Sequence, residues 1–152
     1  MRGPADAPLV LLYADFECPY CAAEAQKLAA VRLRVAFRHF PARLSHPRAW
    51  AAAAAAEAAG LQGRFWEMHD LLFADQGRLE DPHLWDRARS LGLDLERFDA
   101  DRHGDAVKAR IREDFEAGVK GGIVTTPTLI AGGTTYAGRI DANVLEELTS
   151  GR

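Results

Sequence analysis

The only two cysteines of the chain, Cys18 and Cys21, stand three positions apart in FECPYC, with Pro19 and Tyr20 between them. Such a pair can be a reactive dithiol, half of a metal site, or a structural staple. A staple is the poorest use, because the stabilisation from closing a loop grows with loop length and this loop is nearly as short as a loop can be. A structural zinc site needs four ligands, and the five histidines form no cluster with the pair; no metal and no bound organic cofactor are expected. Thiol chemistry remains. In it, a thiolate attacks a disulfide sulfur through a mixed-disulfide intermediate.

The surrounding elements suggest which sulfur does what. PLVLLYADF is a short apolar run bounded by Pro8 and Asp15, the pattern of a buried strand. CPYCAAEAQKLAAVRL follows at once, with Leu28, Val31 and the alanines in a helical stripe and Pro19 at the first helical position, where proline fits best. LRVAFRHF alternates Val35, Phe37 and His39 against Arg34, Arg38 and Phe40, a second strand. Strand, helix and strand make a βαβ unit, and a CxxC at its strand-to-helix junction reads as a redox motif. Cys18 then falls at the helix N-cap. Unpaired N–H groups and the helix dipole favour a thiolate there by about 0.3–2 kcal/mol, up to about 1.5 pKa units. Cys18 is the expected nucleophile and Cys21, one turn on, the resolving thiol. Tyr20 is expected to be exposed along the approach, with Phe16 adding to an apolar rim.

The pattern changes after the second strand. From His46 to Gly121 the chain reads as nearly continuous helix with brief breaks. One helix opens at Pro47 and runs through the alanine tract. The next places Phe65, Met68 or His69, and Leu72 on one face. Another has Asp81 as cap and Pro82 behind it, a short one covers DLERFDADRHG, and a last carries Val107, Ile111, Phe115 and Val119 at four-residue spacing. Strands return in TPTLIAGG and TTYAG across Gly132 and Gly133, a hairpin signal. A final helix starts at Asp141. The expectation is one α/β domain over residues 1–152. Its sheet-bearing core comprises 1–43 and 122–152, and 44–121 form a helical insertion.

The apolar fraction is 48% and the net charge −3, so nothing advertises nucleic acid or an anionic membrane as a partner. The opening apolar run is too short for a signal peptide, and no stretch approaches the roughly 18 apolar residues of a membrane span. The reading is a cytoplasmic protein.

TTPT, residues 125 to 128, is the second feature of interest. By itself Pro127 does no more than start an edge strand. Together with DAPLVLLYADFECPYC, FRHFP, HPRAWAAAAAAEAA, FWEMHDLLF and GGIVTTPTLIAGG, however, it resembles the DsbA-like thiol-disulfide oxidoreductases of the thioredoxin superfamily, in the same order along nearly the whole chain. The resemblance implies a thioredoxin-like mixed sheet with inserted helices. It also implies a cis Thr126–Pro127 bond that, with Pro19 and Tyr20, forms the place where a protein or peptide thiol or disulfide docks. The chain departs from the family pattern in three places, one being Thr-Thr-Pro at 125–127 where the family often has Gly-Thr-Pro. Many thioredoxin-like proteins carry a buried acid six residues before the nucleophile; here that residue is Leu12, and Asp15 and Glu17 are the nearby carboxylates that could replace it. Pro-Tyr between the cysteines is the pair typical of glutaredoxins, which makes glutathione the alternative partner and a glutathione-dependent reductase the alternative activity. A non-catalytic redox-sensing module is the alternative outside enzymes.

Overall fold

A computed structural model describes residues 1–150. Strand β1 (Leu9–Ala14) leads into helix α1 (Pro19–Ala29) and strand β2 (Arg34–His39). Five helices follow: α2 (Ala49–Gly60), α3 (Phe65–Ala74), α4 (Asp81–Ser90), α5 (Leu95–Arg102) and α6 (Asp105–Lys120). The chain closes with β3 (Thr128–Ala131), β4 (Thr134–Ala137) and α7 (Ala142–Ser150). The sheet order is β2-β1-β3-β4, with β1 and β2 parallel and the other neighbours antiparallel. The expected mixed α/β architecture is present, with five helices intervening along the chain between β2 and β3.

The sheet is covered on both faces, which is why β1 is apolar almost without alternation. Val10, Leu12, Val35, Phe37 and Leu129 join one cluster with Leu28 of α1 and Met68 and Leu72 of α3. Tyr13, Phe40 and Ile123 form the other with Phe115 of α6. Gly118 lets α6 come down onto this second face: a Cβ there would lie 2.9 Å from the Phe40 ring and 3.0 Å from that of Tyr13. The alanine tract of α2 is buried on all sides, so small side chains let α3, α5 and α6 approach it closely. Gly132 and Gly133, both at positive φ, make the two-residue turn between β3 and β4, as a type I′ hairpin requires.

Several boundaries differ from the sequence reading. Helix α1 ends at Ala29, with Ala30 as cap, so Val31 lies beyond it. Helix α2 starts at Ala49 rather than at Pro47, because Arg48 takes the cap position. Glu80, not Asp81, holds the cap position of α4, without a side-chain capping hydrogen bond; the Asp81 carboxylate is drawn to Arg102 at 2.8 Å. On α6 the buried residues are Val107, Ile111, Asp114 and Gly118, while Val119 is exposed. A four-residue spacing drifts off a helix of 3.6 residues per turn, and the inward stripe follows the true period.

Candidate active site

Cys18 sits where β1 hands over to α1. Its backbone is extended (φ −78°, ψ 118°), and its side chain caps the helix, its Sγ accepting the Cys21 N–H at 3.4 Å. The Cys18 thiol also reaches the Thr126 carbonyl oxygen at 3.7 Å. The Thr126–Pro127 bond is cis, and the Pro127 carbonyl is taken by the Gly138 N–H at 2.8 Å. Two cysteines, Pro19, Tyr20, Thr126 and Pro127 are thus grouped at one end of the sheet, although 108 residues separate Cys18 from Thr126.

The two sulfurs are in different states. Cys18 is held below its ordinary 9.0, at about 6, chiefly by the hydrogen bond from the Cys21 thiol, against the opposing effect of burial, with main-chain N–H groups of Cys21 and Tyr20 adding to the stabilisation. Cys21 has no exposed surface; burial first, and then its bond to Cys18, push its pKa far up. One thiol is therefore poised as a thiolate near neutrality and its neighbour stays protonated. Tyr20, 56% exposed, lies beneath the Arg139 guanidinium at 4.9 Å.

The loop that carries Cys18 is braced from the helical segment. Gln76, between α3 and α4, donates from one amide nitrogen to the carbonyls of Phe16 (2.9 Å) and Cys18 (2.8 Å). Asp15 is buried; one oxygen accepts the Glu17 N–H at 2.8 Å, the other the Ala42 N–H at 2.9 Å and His46 Nδ1 at 2.8 Å. Glu17 accepts both the main-chain N–H and the Nε of Arg48. Neither carboxylate is free to serve as a base, so the two acids named from sequence are structural braces. Phe16 is not a rim residue either. It is buried and stacked on Phe37 with centroids 5.0 Å apart, because its strand-end position turns it into the core.

Glu24 was not foreseen. It lies on α1 one turn beyond Cys21, has no exposed surface, and pairs with Lys27 at 3.3 Å. Its place in the inward stripe of Cys21, Glu24 and Leu28 was the available clue. Gln76 and His46 gave no local signal. Elsewhere, His39 belongs to the core, its Nε2 2.6 Å from Glu57 Oε1. Among the described residues no three or more His, Cys, Asp or Glu side chains converge as a metal site.

A family model described as thioredoxin matches residues 1–149. The chain belongs to this family. The fold agrees. A thioredoxin-like oxidoreductase from Silicibacter pomeroyi superposes with a TM-score of 0.81 at 28% identity, covering 93% of this chain and 84% of that one. The thiol-disulfide exchange protein alpha-DsbA2 of Wolbachia pipientis gives 0.84 at 21% identity, over 98% and 84%. In sequence, the chain is 41% identical over 162 residues to Na(+)/H(+) antiporter NhaA 1 of Mycolicibacterium vanbaalenii, covering 100% of this chain and 26% of the relative. It is 43% identical over 157 residues to Na(+)/H(+) antiporter NhaA 1 of Salinispora arenicola, covering 95% and 23%. The chain therefore spans about a quarter of the length of these antiporter relatives.

Proposed function

We propose that this chain exchanges disulfides with protein or peptide substrates through the Cys18–Cys21 dithiol. The observation that carries the reading is the division between the two sulfurs: Cys18 caps α1 and is lowered to about 6, while Cys21 is enclosed behind it. The Cys18 thiolate attacks a substrate disulfide and forms a mixed disulfide, releasing the first substrate sulfur. Cys21 then attacks Cys18 Sγ; the Cys18–Cys21 bond forms and the second substrate sulfur leaves. Two electrons pass from the dithiol to the substrate, and the reverse sequence oxidises a substrate dithiol.

The surroundings suit a polypeptide. Tyr20 and Val124 are exposed, and the Thr126 carbonyl beside the cysteine can meet an extended backbone as a strand edge does. A groove of about 500 Å³ lined by Phe40, Leu44, Trp50 and Phe115 lies beyond β2, at the same end of the sheet. In this reading Pro19 stiffens the first turn, Thr126 and Pro127 dock the substrate chain, and residues 44–121 are an insertion that braces the site. In this reading the dithiol works as a reductant or isomerase, in a reducing compartment such as the cytoplasm. A reduction potential between about −270 and −180 mV fits that assignment, and one near −120 mV contradicts it.

Insulin reduction driven by dithiothreitol tests the activity. The protein should accelerate it and Cys18→Ser should not; an equal rate with and without protein would leave only a redox-sensing module. Cys21→Ala should accumulate dithiothreitol-sensitive mixed disulfides with protein substrates that Cys18→Ala lacks. Adducts confined to glutathione would favour the glutathione-dependent alternative suggested by Pro19-Tyr20.

A further inference from the structure

The resolving step has a proton to dispose of. Cys21 is wholly buried and stays protonated, yet it must become a thiolate to attack Cys18. Leu12 fills the place six residues before Cys18 with a buried alkyl group. Asp15 and Glu17 are spent on Ala42, His46 and Arg48. Glu24 remains.

Cys21 and Glu24 are three residues apart on α1, so their Cβ atoms are about 5–6 Å apart on one face, and neither has exposed surface. Lys27 holds only one of the carboxylate oxygens, Oε2, at 3.3 Å, and is itself anchored by the Ile140 carbonyl at 2.9 Å. The other oxygen, Oε1, is buried with no hydrogen-bond partner among the described residues. A buried acceptor without a partner forfeits its hydration, and such a group calls for an explanation. A glutamate side chain, alone or through one water, spans the distance from its own Cβ to a thiol one turn back.

We propose that Glu24 is the proton acceptor for Cys21 in the resolving step. This rests on the dithiol reading above. The Cys21 S–H bond breaks and its proton passes to Glu24 Oε1. The Cys21 sulfur then forms a bond to Cys18 Sγ as the Cys18–substrate S–S bond breaks, and the substrate sulfur departs as a thiolate that takes a proton from solvent. In the reverse direction Glu24 returns the proton to Cys21. Lys27 holds the carboxylate in place. The other charged groups near α1 do not compete: His69 and Asp70 of α3 pair with each other, Asp70 also with Arg2, on the face of Ala22, Ala25 and Ala29. Arg139, before α7, stands over Tyr20.

The reaction of the reduced protein with Ellman's reagent separates the steps. A first equivalent of thionitrobenzoate reports attack by Cys18 and a second reports resolution by Cys21. In the parent protein the second phase should vary little between pH 6 and 8. In Glu24→Gln it should slow about 10²-fold at pH 6.5, the lower end of what a positioned base supplies, and its rate should rise tenfold per pH unit as hydroxide replaces the lost base. The first phase and the thiolate absorbance of Cys18 should not change. Glu24→Asp should restore a weakly pH-dependent second phase, which a purely structural role would not produce. A second phase in Glu24→Gln with the parent's rate and pH profile overturns the assignment, as does a hydroxide-dependent Glu24→Asp. An absent first phase in the parent protein would instead refute the dithiol reading itself.

Discussion

Replacing Cys21 by Ala removes the group that does most to keep Cys18 ionised. The drop from 9.0 to about 6 corresponds to about 4 kcal/mol in favour of the thiolate, at about 1.36 kcal/mol per pKa unit. What survives the substitution is the Thr126 side chain, the N–H groups of residue 21 and Tyr20, and the dipole of α1, together taken as about 2 kcal/mol or 1.5 pKa units. Cys18 in Cys21→Ala should therefore titrate at about 7.5. Absorbance at 240 nm against pH gives the midpoint directly, and the pH dependence of alkylation by iodoacetamide gives it independently. At pH 7 the ionised fraction should fall from about nine-tenths to about one quarter. Linkage adds a stability test. The folded pKa of Cys18 lies below its unfolded value, so its contribution is complete above about 9 and is lost as pH falls through about 6. The raised Cys21 acts oppositely, only above its ordinary 9.0. The reduced protein should thus gain stability from pH 6 to 9, and the oxidised protein should lack this gain. A Cys18 midpoint that stays at about 6 in Cys21→Ala would refute the role given to the Cys21 thiol and transfer the whole effect to the helix terminus.

Other substitutions test the bracing of the site. Gln76→Ala removes two hydrogen bonds to the carbonyls of Phe16 and Cys18 and should lower unfolding free energy by about 1–3 kcal/mol in a urea titration. Asp15→Asn deprives the Ala42 N–H and His46 of a charged acceptor; it should cost about 1–3 kcal/mol while leaving the resolving phase of the Ellman reaction as insensitive to pH as in the parent, because Asp15 is a brace and not the base. Gly118→Ala sets a methyl group against the Phe40 and Tyr13 rings. Overpacking at about 1–3 kcal/mol exceeds the gain of about 0.8–1 kcal/mol in helix propensity, so the melting temperature should fall by a few degrees.

What could be read from sequence was local. Cys18 could be placed at a helix cap because the strand before it, Pro19 after it and the stripe through Leu28 are all within a dozen residues. The hairpin was legible in Gly132 and Gly133, the cap of α7 in Asp141, whose carboxylate accepts the Val144 N–H at 2.9 Å. The misreadings have the same origin. Asp81 looked like a cap because the partner that draws it away, Arg102, is 21 residues on. Val119 looked buried because a four-residue ladder imitates a helical face for two turns and then leaves it.

The polar groups that complete the site follow another rule. Gln76 reaches Phe16 and Cys18 across 60 and 58 residues, and Arg48 reaches Glu17 across 31. Such partners are chosen by tertiary packing, and no periodicity encodes them. They also explain why the helices between β2 and β3 matter to chemistry carried by α1. Besides the Cys21 thiol, the Cys18 thiolate draws on the N–H groups of the first turn, and that turn is held by a glutamine amide from beyond α3 and by carboxylates tied to Ala42, His46 and Arg48. Loosening those ties moves the donors before it moves the sulfur. The reactivity of Cys18 should therefore be more sensitive to remote substitutions in these braces than to changes at exposed neighbours such as Tyr20, whose ring faces solvent and Arg139 rather than the sulfur's hydrogen-bond donors.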